Sequence, residues 1–135
     1  MLKIRNCKVI HNPPHSYGDC IRACLASLAD DDDTPHLFGT HSSNEAWNAV
    51  QRYLKSKGKN LILFPIEADK NPFDFMLENN QEVPYMLLAR TLTGDHAVLC
   101  INDEILHDPS VKGPQKIIGP HSSGFWIIGV VGGRL

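Results

Sequence analysis

The chain has 135 residues, enough for one domain spanning 1–135 that buries about two-thirds of the surface its unfolded form exposes. Hydrophobic residues make up 42% and charged residues 21%, with a formal net charge of -2, so the composition is neither that of a disordered chain nor that of a basic nucleic-acid binder. Aromatic residues are few and scattered and no apolar run reaches membrane-span length, so neither a nucleic acid nor a membrane is expected as a partner.

The opening MLKIRNCKVIHNPPH lacks the pattern of a signal peptide, because Lys3, Arg5, Asn6 and Lys8 interrupt its apolar positions. A cytoplasmic location is therefore expected. In that reducing setting Cys7, Cys20, Cys24 and Cys100 should be thiols. Residues 2 to 10 alternate loosely and read as a short strand or an extended arm, broken by Pro13 and Pro14. In YGDCIRACLASL, Ile21, Cys24, Leu25 and Leu28 recur at the spacing of one buried helix face, with Asp19 as N-cap candidate. The acidic run Asp30 to Asp33 opposes the helix dipole and should end that helix.

Residues 34 to 43 read as loop, and Ser42 with Glu45 fits a capping box for a second helix. That helix carries Trp47, Val50 and Leu54 on one face and ends near Gly58. LILFPI (61–66) reads as a strand, Pro72 to Asn79 as a short helix, and VPYMLLARTL (83–92) as another strand. A turn at Gly94-Asp95 precedes HAVLCI (96–101), which pairs with ILHD (105–108) around a three-residue loop, Asn102-Asp103-Glu104. FWIIGVV (125–131) is the last strand. Helices ahead of mostly antiparallel strands predict an α+β fold, with N-terminal helices packed on a C-terminal antiparallel sheet.

Cys20 stands in the first turn of the first helix, where the helix dipole favours a thiolate. A cysteine nucleophile needs a base in reach, and the base needs an orienting group. The hairpin supplies both residue types. If residues 101 and 105 face each other, His96 lies opposite Ser110, and Asp108 is its diagonal neighbour, about 7–8 Å away at Cα. A one-residue change of register would break this arrangement.

A Cys opening a helix, then a His at a strand start, then Asp-Pro after the next strand resembles the papain-like cysteine peptidases. The closest likeness is to the C39-type, bacteriocin-processing peptidases. Their helix motif, approximately D-C-G-x-A-C-L, is similar to Asp19-Cys20-Ile21-Arg22-Ala23-Cys24-Leu25, with Ile21 at the Gly position. Their later motifs are similar to His96-Ala97-Val98 and Asp108-Pro109. The resemblance implies a papain-like fold over nearly the whole chain, with Cys20 as nucleophile, His96 as base and Asp108 as orienting residue. It implies a thiol hydrolase acting on a peptide or related amide bond, with a peptide or protein substrate and no cofactor. The family's oxyanion Gln, six residues before the Cys, is replaced here by Pro14, which leaves Asn12, His15 and Tyr17 as candidates beside the Cys20 N–H. That departure keeps three alternatives open: a deamidase, an acyl transferase, or a non-catalytic binding protein on the same scaffold.

Cys24 falls on the apolar stripe and Cys100 about 13 Å along the strand from His96, so both read as core. That separation argues against a zinc site built from Cys20, Cys24, His96 and Cys100, and no metal is expected. His36 and His41 read as solvated, His107 as facing away from Asp108, and His121 as a loop residue; His11 and His15 precede the nucleophile. Gly132-Gly133 reads as a flexible tail after the last strand, or as a segment narrow enough to enter a cleft.

Overall fold

A computed structural model describes residues 2–9, 18–38, 42–110 and 113–133. In chain order its elements are α1 (Cys20–Ala29), α2 (Ser43–Ser56), β1 (Lys59–Glu67), α3 (Pro72–Asn79), β2 (Tyr85–Thr91), β3 (Gly94–Ile101), β4 (Glu104–His107), β5 (Ile117–Pro120) and β6 (Phe125–Gly133). The strands form a six-stranded antiparallel sheet in the order β1-β6-β2-β3-β4, with β5 also paired to β2. The fold is therefore α+β.

Helices cover both faces of this sheet. Side chains alternate along each strand. Met86, Leu88, Ala97 and Leu99 pack with Cys24 and Leu25 of α1 and Val50 and Leu54 of α2. Tyr85, Leu87, Val98, Cys100 and Ile128 pack with Ile66 of β1 and Met76 of α3. Two-sided covering explains why YMLLART is an almost continuous apolar run and why every β2 residue except Arg90 is buried. The expectation of helices gathered ahead of the sheet holds for α1 and α2. The short helix read between two strands at 72–79 is α3, and it packs on the opposite face of the sheet from α1 and α2.

Local chemistry sets the helix ends. Asn71 Oδ1 accepts from the Phe73 N–H at 2.9 Å and the Asp74 N–H at 3.2 Å, and Pro72 opens α3 where its missing N–H costs nothing. Ser42 Oγ accepts from the Glu45 N–H at 3.3 Å, as the capping-box reading requires. α1 differs from expectation in two ways. It is buried nearly all round, with Arg22, Ala23, Ala26 and Ser27 buried while Ile21 and Leu28 are only half-buried. Asp19 precedes it without capping it.

Three strand expectations are corrected. The turn before β3 is at Leu92-Thr93, and Gly94, with φ +119°, already pairs with Thr91. The β3–β4 loop has two residues, Asn102-Asp103, with Asn102 left-handed at φ 52°. β5 was not anticipated. It covers the far half of β2, pairing Ala89 with Pro120, while β6 covers Met86 to Leu88. Gly132 and Gly133 are no tail: they pair with Asn60 and Lys59 at the end of β6.

Residues 2–9 form an extended arm rather than a strand. The arm is fastened along its length, by Arg5 N–H to Ser27 Oγ at 2.8 Å and by Cys7 N–H to the Pro109 carbonyl at 2.8 Å.

Candidate active site

The site is assembled where the arm, the start of α1, the start of β3 and the segment after β4 converge. Asp19 joins the first two. Its carboxylate accepts from Arg22 Nε at 2.7 Å, from the Lys8 N–H at 2.9 Å and from the Val9 N–H at 3.0 Å. Burial pushes the Asp19 carboxyl up, but these donors, Arg22 foremost, outweigh it and hold it below the ordinary carboxylate range. With Asp19 occupied in this way, α1 has no side-chain cap, and its positive end opens beside Cys20, the first helical residue.

His96 is the third residue of β3 and pairs with Ala89 of β2. Asp108 follows the last residue of β4. The ladder runs Ile101 with Glu104 and Cys100 with Ile105, then shifts to Leu99 with His107. The bulge restores the residue that the short loop removed. The register toward His96 is thus the one expected for a longer loop, and the diagonal relation of His96 to Asp108 survives. His96 Nε2 and Asp108 Oδ1 are 2.7 Å apart.

Asp108 is held by its own segment. Its Oδ1 also accepts from the Ser110 N–H at 3.0 Å, and its Oδ2 accepts from the Gln115 N–H at 2.7 Å. Burial opposes the carboxylate, but the hydrogen bond to His96 and these two backbone donors lower the Asp108 pKa. Burial also opposes the His96 cation. It is outweighed by hydrogen bonds to Asp108 and Cys20 and by their charges, and the imidazole is raised from 6.5 to about 9. Asp108 occupies Nε2, so Nδ1 is the ring nitrogen that Asp108 leaves unengaged.

These groups face a cleft of about 220 Å³ lined by Cys7, Cys20, His96, Ser110, Gln115 and Asp95. Asp95, the residue before His96, accepts from the Ser122 N–H at 2.9 Å and lies 3.3 Å from His121 Nε2. A second depression of about 450 Å³, between β1 and α3, is lined by Glu67, Lys70, Asp74 and Phe75, with no Cys, Ser, Thr or His in its lining.

The structure brings Cys20, His96 and Asp108 together. Asn12, His15 and Tyr17 lie outside the described residues, as do His11, Pro14, His41 and residues 134–135. Cys24 and Cys100 are buried in different core clusters. His107 faces away from Asp108, its Nε2 lying 2.6 Å from Asn6 Oδ1, and His36 is half-buried rather than solvated. Among the described residues, no group of three or more His, Cys, Asp or Glu is arranged to hold a metal ion, and no helix is long and apolar enough to cross a membrane.

Sequence reasoning missed Cys7 and Gln115. Nothing in the local pattern ties residue 7 to residue 20, because the tie is the Asp19 carboxylate, which read as a helix cap. Gln115 acts through its backbone N–H, which any residue but proline carries. No protein-family model, no curated protein and no solved structure matches the chain.

Proposed function

We propose that this α+β protein is a cysteine hydrolase of papain-like fold that cleaves a peptide or related amide bond. The observation that carries the reading is the His96–Asp108 hydrogen bond in a cleft that Cys20 also lines, at the open N-terminus of α1.

In this reading His96 already holds the proton given up by Cys20, and Cys20 Sγ attacks the acyl carbon as the thiolate partner of that imidazolium. The oxygen that becomes negative is met by the Cys20 backbone N–H and the positive end of α1. His96 then returns the proton to the departing amine, and a water activated by the same imidazole releases the acyl group from sulfur. Asp108 keeps Nε2 protonated and stabilises the imidazolium, and it is itself fixed by the Ser110 and Gln115 N–H groups. The order of Cys, His and Asp along the chain and the helix-then-sheet arrangement support the likeness to the C39-type peptidases.

Iodoacetamide labelling at pH 6 followed by peptide mapping tests the reading, together with turnover of a mixed peptide library. Cys20 should label faster than Cys7, Cys24 or Cys100, and Cys20→Ala should abolish turnover while leaving the unfolding midpoint nearly unchanged. Full turnover by Cys20→Ala, or labelling of Cys20 no faster than a free cysteine, would overturn it.

A further inference from the structure

Cys7 shares the cleft with Cys20, and the hydrolytic reading gives it no task. Its position is fixed from two sides. Its own N–H donates to the Pro109 carbonyl at 2.8 Å, one residue from Asp108. The N–H groups of the next two residues, Lys8 and Val9, donate to Asp19, one residue from Cys20. Both thiols are half-buried and free. Cys24 is a poorer partner for Cys20. It is fully buried, and side chains four apart on a helix hold their Cβ atoms about 5–6 Å apart, whereas a disulfide needs about 3.5–4.5 Å.

We propose that Cys7 and Cys20 form a peroxide-sensitive pair in which a hydroperoxide oxidises Cys20 and Cys7 closes a reversible disulfide upon it. This rests on Cys20 being the reactive thiol of the proposed hydrolase, but it requires no amide substrate. The Cys20 sulfur attacks the O–O bond, giving a sulfenic acid and, from hydrogen peroxide, water (an organic hydroperoxide would release its alcohol). Cys7 sulfur then attacks the Cys20 sulfur, the S–S bond forms, and the sulfenic oxygen leaves as a second water with the Cys7 proton. Two thiols are oxidised and one peroxide is reduced, and a dithiol reverses the change. Burial, aided by the neighbouring Cys20 and Asp19 charges, pushes the Cys7 thiol up to about 12, so Cys7 stays protonated while Cys20 reacts first.

The sequence makes the product easy to read, because trypsin separates Cys7 (residues 6–8), Cys20 (9–22) and Cys24 (23–52). The reduced full-length chain is treated with a few equivalents of hydrogen peroxide, digested without reductant and mapped by mass spectrometry. Expected is a 6–8/9–22 linked peptide that accounts for most of Cys20 and disappears with dithiothreitol. In Cys7→Ser, Cys20 should instead be trapped by dimedone and pass on to the sulfinic acid. A parent chain that over-oxidises Cys20 as fast as Cys7→Ser does, that links 9–22 to 23–52, or that leaves Cys20 unoxidised would overturn the pair. Turnover lost in Cys20→Ala alongside any of these results would leave the hydrolase reading standing, whereas full turnover in Cys20→Ala would remove that reading whatever the peroxide does.

Discussion

At the scale of single residues, the balance of forces on His96 gives the sharpest expectation. Its raised pKa of about 9 comes from Asp108 and Cys20 acting against burial. If His96 donates a proton to the leaving group, kcat/KM should fall on the alkaline side with an apparent pKa near 9. Asp108→Asn removes the charge that stabilises the imidazolium, so the limb should move to lower pH. Its loss of rate should be smaller than that of His96→Ala, which deletes the proton carrier and should cost about 10²–10⁴-fold. A pH–rate profile of the parent and both variants checks the order and the shift. An unmoved limb in Asp108→Asn would separate Asp108 from the imidazole's titration. The three residues were legible in the sequence because their chemistry and order are distinctive. The support around Asp108 was not, since it consists of backbone N–H groups whose positions depend on how the segment after β4 folds back.

Among the elements, the join between the arm and α1 depends most on one side chain. Arg22 and Asp19 form a buried ion pair, 8% and 2% exposed, and Asp19 also holds two backbone N–H groups of the arm. Asp19→Ala leaves the Arg22 charge buried and unpaired, which should destabilise the fold by about 3–5 kcal/mol. It should also release the arm, so limited trypsin digestion should cut after Lys8 in the variant well before it does in the parent. Denaturant unfolding and a digestion time course measure the two effects, and equal digestion rates would show that the arm is held without Asp19. Helix α3 was fully legible, because Asn71 and Pro72 are strong start signals that act within a few residues. Strand β5 was not, because IIGP is short, contains Gly and Pro, and is a strand only by virtue of the half of β2 that β6 leaves uncovered. The β3–β4 hairpin shows two local misjudgements cancelling: the loop is one residue shorter than expected, and the bulge between Leu99 and Cys100 adds one back.

For the molecule as a whole, the same imidazole links stability to pH. His96 and Asp108 are only 12% and 5% exposed, so solvent screens their pairing little. A folded pKa of about 9 lies above the unfolded value of 6.5, so the stabilisation is fully present below pH 6.5 and is lost as pH rises through 9. Asp108 has the opposite sign: its lowered pKa gives stabilisation above the unfolded value of 3.8, lost as pH falls through the folded value. The gap in unfolding free energy between parent and His96→Ala should therefore narrow by up to about 3 kcal/mol between about pH 6 and 9.5, as chemical denaturation across that range would reveal. A gap independent of pH would show that the imidazole gains no charge on folding. The position of β6 has a further consequence, in time rather than in energy. This strand, Phe125–Gly133, lies between β1 and β2, yet it is synthesised after the other elements among the described residues. A ribosome adding about 5–20 residues per second therefore exposes β1 for several seconds before β6, its neighbour in the sheet among the described residues, exists. Over that interval the growing chain can hold helices and the β2–β3 hairpin, but not the finished sheet. Completion of this sheet thus waits on β6, and a chain stalled before residue 125 has the residues of its site already made and the sheet that orders them unfinished.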